Sequence, residues 1–175
     1  MSQATTDLRA FMSAFPTGVA VVSTLDADRR PRGMTCSSLC SVALAPATLL
    51  VCLRSESPTL AAALERGTFA VNLLHAAASS VSRLFSSADP DRFDVIPWHL
   101  PAGACGPHLT TDAHAIADCL VSHTLDVGDH TVVFAEVERT TLSEGAMDPL
   151  LYGQRRYASW SERAALIPGA RRVGR

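Results

Sequence analysis

The chain has 175 residues, 47% of them hydrophobic, a formal net charge of −2, and no lysine among its fifteen basic residues. That length implies one domain with room for a proper core, and the near-neutral balance excludes the basic surface that nucleic acid or an anionic membrane requires. Any phosphate must be held by arginine, hydroxyls or backbone amides.

The first residues, MSQATTDLRAF, hold no basic region followed by an apolar core, so no leader is read there. Thr6 can cap a short helix running to Ala14, with Leu8, Phe11, Met12 and Phe15 on one face. Pro16 ends it, because the residue before a proline avoids helical angles. Gly18 then opens the apolar run Val19 to Thr24, a buried strand, and Asp26 to Pro31 is a polar turn. Gly33 to Leu44 is a second strand, stopped by Pro46. In it Thr35, Cys36, Ser37, Ser38 and Ser41 put small polar groups where a strand normally places bulky apolar ones. Such a stretch can offer backbone N–H and C=O groups to a flat polar ligand, although an edge strand with a polar face accounts for it as well. Thr48 to Leu53 is nearly all apolar and reads as a central strand.

Next comes SESPTLAAALERG, with Ser57 at an N-cap position, Pro58 at the first helical position and Gly67 as the stop. Phe69 to Leu74 is another buried strand, Ala76 to Ser86 a helix, and Asp89 to Gly106, with three prolines, irregular. From Ala117 the residues Cys119, Val121, His123, Leu125 and Val127 alternate with polar ones, which predicts a half-buried strand. Gly128-Asp129 is a tight turn and Thr131 to Leu142 the returning arm; Pro149 to Tyr157 is a last short strand. The tail from Arg163 is read as loose, so residues 1–162 form the domain and 163–175 a flexible end. Six or seven strands that mostly follow one another without a helix predict a β-barrel with helical crossovers rather than a parallel α/β sheet.

Three places can carry chemistry. The helix starting at Ser57 offers free N–H groups and its dipole to an anion, with the Ser57 and Thr59 hydroxyls as further donors and Arg54 just upstream. An ordinary capped helix is the plainer reading. Thr35 to Ser41 is the second place. The third is the turn Gly128-Asp129-His130, which can project His130 into a cleft to orient a nicotinamide or donate to a phosphate, or can be plain surface. Five scattered cysteines make no disulfide framework. Cys36 and Cys40 lie on one strand face with no second ligand pair, so they read as reduced, packed thiols rather than zinc ligands. No apolar run reaches the ~20 residues of a spanning helix. The expectation is a cytoplasmic protein that hides apolar surface in a dimer.

Taken together, FPTGVAVVST, GMTCSSLCSVAL, Ser57-Pro58-Thr59, FAVNLL, GDHT at Gly128 to Thr131, and PLLYGQRRY resemble the flavin reductase-like proteins in order and spacing over roughly residues 8 to 160. Those are the NAD(P)H:flavin oxidoreductase components of two-component flavin monooxygenases. The resemblance implies a mainly β fold, a homodimeric FMN-binding split β-barrel with a Greek-key core and short flanking helices. It implies FMN or FAD bound between the barrel and the partner subunit, NADH or NADPH as reductant, and a separate monooxygenase that receives the reduced flavin. By position Thr35, Cys36, Ser37, Ser38 and Leu39 would line the flavin ring and ribityl chain, with Ser41 and Val42 close by. Glu56, Ser57, Pro58 and Thr59 would surround the phosphate. Phe15, Pro16, Thr17, His130 and Tyr157 would border the nicotinamide. Two departures stand out. Many relatives carry Ala-Asn or similar at Cys36-Ser37, so a side-chain amide is lost here. Many carry Lys or Arg in the phosphate segment, where this chain has Glu56 and Pro58 and leaves Arg54 as the nearest cation.

Hydride would pass from nicotinamide C4 to flavin N5, so the protein's task is to stack two rings, with no side chain needed as acid or base. Arg155 and Arg156 are candidates for an adenosine 2′-phosphate. Alternative readings are an FMN-dependent oxidase or oxygenase on the same barrel, and a non-catalytic flavin- or haem-binding sensor or flavin carrier. A barrel serving only as an interaction module would leave the polar strand unexplained.

Overall fold

The computed structural model describes residues 7–144 and 147–161. Thr6 and the tail expected from Arg163 lie outside the described residues. The chain order is α1 (Leu8–Ser13), β1 (Thr17–Gly18), β2 (Ala20–Leu25), β3 (Pro31–Cys36), β4 (Cys40–Leu44), β5 (Ala47–Arg54), α2 (Pro58–Arg66) and β6 (Thr68–Leu74). A 3-10 turn (Ala76–Ala78), α3 (Ser79–Ser86), β7 (Ala113–Val127), β8 (His130–Leu142), β9 (Leu150–Gly153) and β10 (Arg156–Ser159) follow. The strands form a seven-stranded sheet, β3-β2-β6-β7-β8-β5-β4, and a three-stranded sheet, β1-β9-β10. All pairs are antiparallel. β5 lies beside β8 while β6, β7 and β8 are consecutive neighbours, a Greek-key order. The sheets do not close on each other, and the fold is a split β-barrel. Val19 joins them: its N–H donates to Leu150 O (3.2 Å) in the small sheet and its carbonyl accepts from Leu74 N (2.9 Å) in the large one.

The barrel core explains the apolar runs. Ala20 and Val22 of β2, Val51 and Leu53 of β5, Phe69 and Val71 of β6, and Val133 and Ala135 of β8 meet inside, and α2 plugs one end with Leu60 and Ala63. The other face of β2 is also covered. Val21 packs with Val81 and Phe85 of α3 and with Phe93 of the irregular segment. Helix α2 has the expected ends: the Ser57 side chain accepts from the N–H groups of Thr59 and Leu60, Pro58 opens it, and Gly67 closes it at φ +72°. The irregular segment is pinned by buried polar groups. Asn72 Nδ2 donates to Ser23 Oγ (2.9 Å) and Pro107 O (3.2 Å), and its Oδ1 accepts from Leu109 N (2.8 Å). Gly106 passes so close to the Ser23 carbonyl that a Cβ would collide with it.

Several expectations change. The strand expected from Gly33 to Leu44 is two strands with a break at Ser37–Leu39, so Cys36 and Cys40 do not share a strand face. Helix α1 exists, capped by Asp7, whose side chain accepts from Ala10 N at 3.0 Å, but Leu8, Phe11, Met12 and Phe15 are all exposed. The apolar β5 is second from the sheet edge, not central, because β4 is its only cover on that side. The half-buried pattern of β7 holds in its first half only; 122–127 is exposed throughout, Leu125 and Val127 included. The last strand is a hairpin, β9–β10. Among the described residues no helix is long and apolar enough to cross a membrane.

Candidate active site

Three clefts join into one groove. The first, about 500 Å³, lies between the start of α2 and the end of α3 and is lined by Arg54, Glu56, Ser57, Pro58, Thr59 and Met34 among others. It shares Thr35, Ser86 and Ser87 with a second of about 470 Å³, walled by Ser37, Ser82, Arg83, Tyr152 and Tyr157. Ser37 and Tyr152 continue into a third of about 600 Å³, which Phe15, Thr17 and Ser38 also line. Two of the three places singled out in the sequence, the start of α2 and the polar strand, therefore lie along one groove, with Phe15 and Thr17 at its other end.

The break after Cys36 shapes the middle. Ser37–Leu39 has no ladder partner among the described residues, so its backbone polar groups are not used by the sheet. The Ser38 hydroxyl fixes the break to β5, donating to Cys52 O (2.9 Å) and accepting from Cys52 N (3.1 Å). Cys36 points the other way. It is 4% exposed in the barrel core, and burial pushes its thiol up from the ordinary value. Leu39 packs against the same core, and Ser41 and Val42 lie on β4 outside the lining. Cys36, Leu39, Ser41 and Val42 are not among the residues that line the three clefts. Pro16 lines an adjoining cleft with Leu151 and Trp160, which shares Ser13 and Gly153 with the third.

At the α2 end the cap has consumed donors expected to be free. Ser57 Oγ accepts from Thr59 N (3.2 Å) and Leu60 N (3.4 Å) and donates to Met34 Sδ at 3.2 Å. What remains for an anion is the helix dipole, the Thr59 hydroxyl and Arg54. The hairpin turn that carries His130 docks here. Gly128 has φ +61°, Ser55 N donates to Asp129 O (3.0 Å), and Arg54 pairs with His130 across β5 and β8. His130 Nδ1 is 2.8 Å from Asp129 Oδ1, and His130, with Arg54 nearby, holds that carboxyl below its ordinary value. His130 itself lines none of the three clefts, and its ladder neighbour belongs to the phosphate end, not to the Phe15–Tyr157 end.

Helix α3 supplies a wall that the sequence reading passed over. Ser82 Oγ is 2.9 Å from the Tyr157 hydroxyl, and the Ser82 carbonyl accepts from Thr35 Oγ1 at 2.7 Å. The Arg83 guanidinium lies 5.2 Å from the Tyr157 ring centroid, and Tyr152 packs 5.2 Å from the same ring. The signal was present: Ser82 and Ser86 stand one helical turn apart on a helix whose other side, Val81 and Phe85, is apolar.

A sequence profile described as "Flavin reductase like domain" matches residues 12–161. The chain belongs to this family. The flavin reductase (NADPH) of Lentzea aerocolonigenes is 47% identical over 155 residues, 89% of each chain. Among solved structures, a Streptomyces globisporus NADH:FAD oxidoreductase in complex with NAD and FAD fragments superposes with TM-score 0.82 at 30% identity, over 94% of this chain and 93% of that one. The styrene monooxygenase flavin reductase of Pseudomonas putida superposes with TM-score 0.79 at 32% identity, over 88% and 97%. The reductase is an NAD(P)H:flavin oxidoreductase on a split barrel. Its donor set fits a flavin: backbone outside the ladders at Ser37–Leu39 for a ring edge, and Arg54 with the Thr59 hydroxyl for a phosphate.

Proposed function

We propose that the reductase holds flavin along the first two clefts, with its phosphate at Arg54 and the α2 N-terminus and its ring against Ser37–Leu39. NADH or NADPH enters from the opposite end, beside Phe15, Thr17 and Tyr157. The observation that carries this reading is the continuity of the groove, which shares Thr35 between the first two clefts and Ser37 between the last two. When bound, flavin supplies the redox chemistry by accepting hydride at N5 from nicotinamide C4. The protein's residues orient and desolvate. Ser82 holds the Tyr157 hydroxyl, Arg83 and Tyr152 pack its ring, and Thr35 is tied to the same helix through the Ser82 carbonyl. Backbone N–H groups at the break are placed to favour negative charge developing on the ring edge.

Reduced flavin then leaves for a separate monooxygenase, as the named styrene monooxygenase reductase supports. Glu56 beside the phosphate segment weakens flavin retention and suits a flavin used as a substrate. The relatives differ in coenzyme, one named for NADPH and another for NADH. The reading is tested by NADH and NADPH oxidation on protein desalted free of flavin. Oxidation that requires added FMN or FAD and saturates with it is the expected result. Oxidation by yellow protein without added flavin would replace it with a bound prosthetic group and the oxidase reading. Flavin binding with no oxidation of either nucleotide would leave only a carrier.

A second reading of His130 has an observation behind it. Its pairing with Arg54 favours a role at the flavin phosphate rather than at the nicotinamide.

A further inference from the structure

The third cleft has a charge character that ring stacking does not need. Arg9 and Arg155 both line it, and no acidic residue is among its lining. Neither arginine has an ion-pair partner among the described residues. They come from different elements, brought together by one contact: Gln154 N, in the β9–β10 turn, donates to Ser13 O at 2.6 Å at the end of α1. Gln154 and Arg155, between β9 and β10, have φ of 50° and 59°. Two-residue turns of this form normally carry Asn-Gly, because side chains are strained at positive φ. An arginine kept where glycine would be relaxed points to use of its side chain. The neighbouring Arg156 is not among the residues lining any of the three clefts.

We propose that Arg9 and Arg155 form a seat for the phosphates on the adenosine side of the nicotinamide coenzyme. The proposal rests on the coenzyme entering from the Phe15 end. Two sources share this chemistry, the 2′-phosphate of NADPH and the diphosphate common to both coenzymes. An arginine pair suits either, since each guanidinium can give two parallel N–H donors to phosphate oxygens.

The test separates this seat from the reductase reading. Flavin-free protein is titrated calorimetrically with 2′,5′-ADP, with 5′-ADP and with inorganic phosphate. Arg155→Asn suits the left-handed backbone and removes the charge, and Arg9→Gln keeps a good helix former on an exposed site. Each is expected to weaken 2′,5′-ADP, 5′-ADP or both by about tenfold, the factor given by ~1.4 kcal/mol of lost charge-assisted hydrogen bonding. Arg155→Lys should recover part of the loss, and Arg156→Gln should change nothing. 2′,5′-ADP carries single phosphates at both positions and no diphosphate, so loss confined to it assigns the seat to the 2′-phosphate, while loss for 5′-ADP, alone or in equal measure, assigns it to the 5′ (di)phosphate. Wild-type affinity for both nucleotides in the Arg155→Asn and Arg9→Gln variants overturns the seat, as does undetectable binding of both nucleotides to the wild type. Flavin-dependent turnover of the same variants is read separately. Normal turnover alongside unchanged nucleotide affinity removes the seat and leaves the reductase reading standing.

Discussion

Arg54 and His130 face each other across the β5–β8 ladder, and their substitution tests which ligand the α2 end of the groove serves. Arg54→Gln should raise the flavin concentration needed for half-maximal rate by about tenfold, the loss of one charge-assisted contact, with little change in the KM for NADPH. His130→Ala should raise the KM for NAD(P)H more than it lowers flavin affinity if it positions the nicotinamide. A change confined to flavin affinity would move His130 to the phosphate. The thiols belong to a different account. Burial first, then Cys105 and Asp118, push the Cys119 thiol up to about 12, so it stays neutral and serves packing. At this scale strand alternation did not tell which side chains of the polar stretch face the groove. Thr35, Ser37 and Ser38 line the groove while Cys36 turns into the barrel. Alternation along a strand cannot foretell where the strand stops, and the break after Cys36 is made by Ser38 bonding to β5, a contact distant in sequence.

Among the elements, α2 was the most legible because its signals are local: a serine cap, a proline at the first position, and a glycine that accepts positive φ. Helix α1 shows the opposite case. Its apolar residues have helical spacing but no surface in this chain to cover them, and periodicity alone does not say what a face meets. The irregular segment had no readable pattern, since its order comes from buried polar groups on the sheet. Asp118, 2% exposed, accepts from Cys105 N (2.7 Å), from His108 Nε2 (3.0 Å) and from Arg139 Nη2 (2.7 Å). Burial acts to raise its pKa, but hydrogen bonds from His108, Cys105 and Arg139 outweigh it and hold the carboxyl below its ordinary 3.8. A depressed native value contributes stability that is complete above the ordinary value and is lost as the pH falls through the native one. Asp118→Asn should therefore cost about 3 kcal/mol at pH 7, measured by urea unfolding. The gap to wild type should narrow as the pH is lowered below 3.8. A gap that stays constant with pH would mean the carboxylate charge is not what pins the segment.

For the molecule as a whole, the strand-after-strand order of the sequence was enough to favour a barrel, and the sheet order that splits it was not, because Val19 serves both sheets through backbone hydrogen bonds that no residue type announces. The outer half of β7 leaves Leu125 at 54% and Val127 at 56% exposure, and Leu44 on β4 is 91% exposed. We expect these surfaces to be covered in a homodimer. Light scattering should give twice the chain mass, and Leu125→Glu with Val127→Glu should lower it to that of one chain and weaken flavin binding. A wild-type protein that is monomeric at micromolar concentration would sink this expectation. The groove itself carries a kinetic consequence. Its three clefts run end to end with a mouth at α2 and another at Phe15, so neither ligand has to depart before the other arrives. Initial-rate lines at several fixed flavin concentrations should then intersect, the pattern of a ternary complex. Parallel lines would mean that oxidised nucleotide leaves before the substrate flavin enters, which requires a second, retained flavin to hold the hydride in between.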